Sequence, residues 1–149
     1  MAISSAICSS FKQELLQGKH SLDTSGNGGD TFKLAMYTSS ASLDATTTAY
    51  ATGNEISGSG YSAGGATLTN TGVGLNSTTA FTDFSDISFT SASFTANGCL
   101  IYNTTTAGGS GTTNAVCVIA FGGDKTVSSG TFTFQFPTND SSSAIIRLT

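Results

Sequence analysis

The chain has 149 residues, enough for one domain with a buried core. Only 9% of them are charged, against about 25% in an ordinary soluble domain, and 23 Ser, 25 Thr and 18 Gly furnish the surface with hydroxyls and bare backbone instead. That composition excludes coiled coils and charged helical bundles, the net charge of −4 argues against nucleic-acid binding by counterion release, and no apolar run of about 18 residues is present to span a bilayer as a helix.

Met1 to Cys8 carries no positive charge ahead of an apolar run, and serines interrupt that run. The expectation is therefore synthesis in the cytoplasm without a secretion leader. One helix is expected next. Ser10 and Gln13 have capping-box spacing, Phe11, Leu15 and Leu16 fall on one side, and Gly18 ends the turn. At under ten residues it has to dock, on its own domain or on another protein. Arm and helix together cover about residues 1–18.

The remainder reads as strands. Thr31–Tyr37 alternates Phe32, Leu34 and Met36 against a more polar face, the pattern of a half-buried strand. Thr79–Phe84 and Ile87–Phe89 are short and aromatic, while Gly98–Tyr102 and Ala115–Phe121 are continuous apolar runs expected at the centre of a sheet. Thr131–Phe136 places three rings on one face, and Ala144–Leu148 is a last strand. Weaker strands are expected near Tyr50–Ile56 and Ala66–Asn70. Gly108–Gly111, Gly122-Gly123-Asp124 and Ser128-Ser129-Gly130 read as turns. Short strands at this spacing, without helical patterns between them, predict a single all-β domain, an antiparallel β-sandwich or jelly roll with one short N-terminal helix.

Ser39–Gly74 stands apart. It is rich in Ser, Thr, Gly and Ala, and reads either as a surface loop or as a contact loop anchored by Tyr50, Ile56 and Tyr61.

Groups for catalysis are scarce. The lone histidine, His20, reads as a solvated loop residue, and no nucleophile-elbow motif accompanies it. Asp83 and Asp86 stand three apart, which sends their side chains to opposite faces of a strand; they read as flanking a bend at Phe84-Ser85. Metal-ligand spacings, a dinucleotide loop and a P-loop are missing, so no cofactor and no metal are expected. Cys99 and Cys117 sit in apolar runs and read as small buried hydrophobes; Cys8 stays open. Holding and binding, rather than bond chemistry, are the functions left.

Three stretches carry a resemblance. They are Ser10–Ser21, Asp30–Ser40 running on through Leu43–Tyr50, and Phe121–Pro137 with Ala144–Leu148; Gly53–Tyr61 and Gly98–Asn103 fit the same pattern. Together they resemble small virion proteins of tailed bacteriophages, most closely capsid cement (decoration) proteins. Ser25-Gly-Asn-Gly-Gly29 departs from that pattern by lengthening the link between helix and first strand. The resemblance implies a structural protein, not an enzyme, on the outer surface of the capsid. Its partners would be the major capsid protein and other copies of itself, with neither nucleic acid nor membrane. Phe11, Leu15 and Leu16 are the candidate anchors on a neighbouring subunit, with packing on the chain's own sheet as the alternative. A tail or head-fibre protein is one rival reading. A glycan-binding sandwich using Tyr61 or Tyr102 is another.

Overall fold

A computed structural model describes residues 2–105 and 111–149. Of the hairpin tip expected at Gly108–Gly111, all but Gly111 lies outside the described residues. In chain order the elements are β1 (Ala6–Ile7), α1 (Ser9–Leu16), β2 (Phe32–Tyr37), β3 (Ala66–Thr67), β4 (Asn70–Asn76), β5 (Thr79–Phe84), β6 (Ile87–Asn103), β7 (Ala115–Phe134) and β8 (Ile146–Leu148). They form a five-stranded sheet in the order β1-β7-β6-β2-β3 and a three-stranded sheet in the order β4-β5-β8, with antiparallel pairing throughout both. This is the all-β, two-sheet architecture with one short helix that composition and periodicity predict.

The two sheets share one core. Phe32 of β2 meets Phe84 of β5 with ring centroids 5.6 Å apart, Phe84 meets Phe136 at 5.6 Å, and Phe136 meets Phe134 of β7 at 4.8 Å. Tilted ring pairs at these spacings add to the area they bury. Asp83 stitches the small sheet further: its buried carboxylate accepts from the Phe84 N–H (2.9 Å) and the Ile145 N–H (3.1 Å). Burial nevertheless raises the pKa of this carboxyl. Asp86, on the other side of the expected bend, accepts from the Phe136 N–H at 2.7 Å.

Three expectations are corrected. First, β2 is buried on both faces except at Lys33. Phe32 meets Phe84 of the small sheet, Leu34 and Met36 share its face by alternation, and the segment 49–65 covers the other face, where Tyr37 bonds Ala51 and Tyr102 bonds Gly64. Gly65 (φ +78°) lies so close to β2 that a Cβ there would stand 1.8 Å from the Leu34 carbonyl oxygen. Second, Ile87–Phe89 and Gly98–Tyr102 are one 17-residue strand, and Ala115–Phe121 and Thr131–Phe134 are one 20-residue strand. Gly122-Gly123-Asp124 and Ser128-Ser129-Gly130, which read as turns, are irregularities within this ribbon. Gly122 and Gly123 have φ of +73° and +142°, Ser91 and Ser129 lie near +48°, and the β6–β7 register shifts at several points. Bulges bend and twist a long strand without ending it. Third, Tyr50–Ile56 contributes only an isolated bridge, Tyr37 to Glu55, whereas Asn70–Asn76 is a full strand.

The helix also differs at its start. It begins at Ser9 with Cys8 in the cap position, and the capping box does not form: the Ser10 hydroxyl is buried without a partner. Pairing of β1 with β7 and the Cys8 N–H···O=C Val116 bond (2.9 Å) set its entry instead. Its end is as expected, with Gly18 at φ +71° donating to the Leu15 carbonyl. The arm before it is sewn to the same domain through Ile3, which bridges Leu43 and packs where a Cβ on Gly98 would stand, 2.7 Å from Ile3 Cγ2.

Candidate contact surface

Tyr50, Ile56 and Tyr61 turn inward, and Glu55 holds the two tyrosines. Its Oε2 accepts from the Tyr50 hydroxyl (2.7 Å), and its Oε1 accepts from the Tyr61 hydroxyl (2.6 Å) and the Gly64 N–H (2.7 Å). The Tyr61 oxygen in turn accepts from the Met36 N–H at 3.0 Å. Tyr37 donates to the Ala51 carbonyl (2.7 Å) and Tyr102 to the Gly64 carbonyl (2.7 Å), while Tyr50 stacks on Tyr102 with centroids 4.5 Å apart. All four tyrosines of the chain thus fasten one segment to the large sheet. Burial raises the pKa of each, and for Tyr50 and Tyr61 the bonded Glu55 carboxylate raises it further. Ile56 is buried and donates its N–H to the Met36 carbonyl. Residues 49–65 are therefore a built cover. The rings considered for stacking on sugar are committed to it, Tyr102 with only 4% of its surface exposed.

His20 is likewise not solvated; it is 8% exposed and packs on Phe11 at 4.9 Å. The Thr105 N–H donates to Asn103 Oδ1 (2.8 Å), which fixes that amide's orientation. Asn103 Nδ2 then donates to Asp30 Oδ2 (2.7 Å) and to His20 Nδ1 (3.0 Å). With Nδ1 accepting, Nε2 carries the hydrogen that reaches Glu14 Oε2 at 2.7 Å. Asn114 donates to the other Glu14 oxygen at 2.9 Å. Both ring nitrogens are spent joining α1, the link to β2 and the end of β6. Among the described residues no hydroxyl side chain bonds to the ring, so no nucleophile–histidine pair is built there.

The surface with no such internal partner is apolar. Leu16, Val73, Leu75 and Leu148 are the exposed large hydrophobic residues among those described, at 93%, 56%, 73% and 55%. They converge. On the small sheet Val73, Thr82 and Ile146 form one cross-strand row and Leu75, Ala80 and Leu148 the next. Directly paired antiparallel residues and residues two apart share a face, so both rows lie on the same side. Leu15 and Leu22 border that face beside Val73 and Leu148. Leu16 joins it across a groove of about 340 Å³ between α1 and β8, lined by Ile7, Phe11, Leu15 and Leu148 among others. A second groove of about 470 Å³ continues past Ile7 and Arg147 between β1 and the segment leading into β8.

The three helix residues singled out from sequence thus separate. Phe11 is 1% exposed and belongs to the core, Leu15 is half-buried at the groove, and Leu16 projects. Val73, Leu75 and Leu148 were not anticipated. The signal that could have found the first two is their period-two alternation with Gly72 and Gly74, glycines that read as loop.

All three cysteines are free and buried, Cys8 included, and burial pushes the Cys8 thiol up to about 11. Among the described residues no group of three or more His, Cys, Asp or Glu is placed to hold a metal ion, and no helix is long and apolar enough to cross a membrane. Comparison with protein-family models, with curated proteins and with solved structures gives no match to this chain.

Proposed function

We propose that this chain is a structural protein of a tailed-bacteriophage virion, a capsid cement protein that binds the outer surface of the major capsid protein shell beside other copies of itself. The observation that carries the reading is the convergence of Leu16, Val73, Leu75 and Leu148 on one side of the molecule. Exposed large apolar side chains gathered on one side of a chain this polar mark an attachment site. Sequence resemblance supplies the class of particle, and a domain whose long loop is tied down by four tyrosines supplies the rigid body that attachment needs. Many copies on one shell add avidity to modest single contacts.

Two experiments test this. Particles lacking the protein should release DNA or rupture under heat or chelator sooner than complete ones; equal resistance overturns the cement role. A Leu16→Ser, Leu75→Ser, Leu148→Ser variant changes exposed side chains, each within about 0.5 kcal/mol of neutral for stability. It should keep its melting temperature to within a few degrees and lose co-sedimentation with particles. Undiminished attachment would rule out this face as the contact surface.

A further inference from the structure

The groove between α1 and β8 has a form that narrows what it takes. Ile146, Arg147 and Leu148, three consecutive residues of one strand, all line it. Successive side chains of a strand leave on opposite faces, so a groove touched by all three runs along the strand's edge. Among the described residues that edge is open: β8 is the last strand of its sheet and pairs only with β5. The facing edge of the large sheet is β1, only two residues long, and the adjoining groove runs between Ser5–Ile7 and Ala144–Arg147. The sandwich is thus unclosed on this side.

Charge marks the occupant. Of the five Lys and Arg in the chain, Lys12 and Arg147 line the groove, and none of the nine Asp and Glu does. The neighbouring apolar hollow under Val73 and Leu148 has no acid either. Arg147 gives one N–H to the Ser142 carbonyl and lies near Asp140, whose carboxylate is occupied by the Ser142 and Ser143 N–H groups. Among the described residues neither Lys12 nor Arg147 is in an ion pair. In a molecule of net charge −4 this is a positive rim around an apolar slot.

We infer that this groove takes an extended segment of a partner protein that alternates apolar and acidic side chains, adding a strand to the free edge of β8 with its apolar groups against Leu15, Leu16 and Leu148 and its carboxylates toward Lys12 and Arg147. Strand addition draws affinity from main-chain hydrogen bonds and selectivity from alternate side chains. This deepens the proposed attachment and rests on it.

The test uses the full chain, isotope-labelled, and a blocked peptide alternating Leu and Glu, with its Leu–Gln counterpart as control. Binding should shift the amide resonances of Ile146–Leu148 and of Lys12–Leu16, weaken about tenfold in the Gln peptide and in the Lys12→Gln, Arg147→Gln variant, and weaken further with added salt. Shifts elsewhere, no binding, or equal affinity for the two peptides would overturn the inference. So would self-association of the chain that excludes the peptide, which assigns the groove to a second copy. Particle co-sedimentation separates the two levels. If the Lys12→Gln, Arg147→Gln variant attaches normally while the triple serine variant does not, only the acidic-strand inference fails. If both attach normally, the contact-surface reading fails with it.

Discussion

Glu55 satisfies three donors with one carboxylate, and two of them are phenols from different parts of the same loop. Replacing it by Ala strands the Tyr50 and Tyr61 hydroxyls and the Gly64 N–H in a partly buried site. Bonds to charged groups contribute about 1.5–3 kcal/mol each and overlap when shared, so the expected loss is about 2–4 kcal/mol in urea unfolding. Glu55→Gln keeps an oxygen for Tyr61 and Gly64 and offers Tyr50 an N–H; its loss should be about 1 kcal/mol. Equal stability of all three proteins would mean that packing, not the carboxylate, holds the cover. The sequence made Tyr50, Ile56 and Tyr61 visible as the large residues of a bland segment, and they are indeed its fixed points. What it left hidden was the direction of fastening. Aromatic residues serve interfaces and cores alike, and only Glu55, a residue with no local pattern to announce it, decides between them.

At the scale of the element, α1 shows how one apolar stripe serves two purposes. Phe11 fills the core against His20, while Leu16 stands in solvent at the lip of the groove. Phe11→Ala is expected to cost about 3–5 kcal/mol and Leu16→Ser less than about 0.5 kcal/mol, a contrast that thermal melts of the two variants would show directly. Comparable losses would mean that Leu16 is packed as well. Helical spacing made all three residues legible as one side of a helix, but a stripe wider than the surface it covers does not reveal where the cover ends. The ribbon of β6 and β7 escapes a local reading for the opposite reason. Gly122-Gly123 and Ser128–Gly130 have turn chemistry, and the local signal for a turn is the same as that for a bulge. The partner strand tells them apart: Ala96 pairs with Lys125 and Phe94 with Val127, so the chain carries straight on where its own residues allow it to reverse.

Over the whole molecule, the fold is a two-sheet core with its outer cover fixed by tyrosine hydroxyls, and this makes stability depend on pH at the alkaline end. Tyr37, Tyr50, Tyr61 and Tyr102 all have pKa values raised by burial in the native state, while in the unfolded chain they titrate near 10. The native protein therefore holds these protons where the unfolded chain gives them up. Their contribution is complete below about pH 10 and is lost as pH rises above it. Each tyrosine that stays protonated only in the fold steepens the decline by about 1.4 kcal/mol per pH unit. Two signals should then move together: tyrosinate absorbance is expected to appear in the same cooperative step as the loss of β-sheet circular dichroism, and the step should come at lower pH in Glu55→Ala, whose cover is already loosened. Ionisation near pH 10 with the sheet signal intact would show that the four hydroxyls are exposed to solvent in the native state, and that residues 49–65 lie on the sheet without being fastened to it.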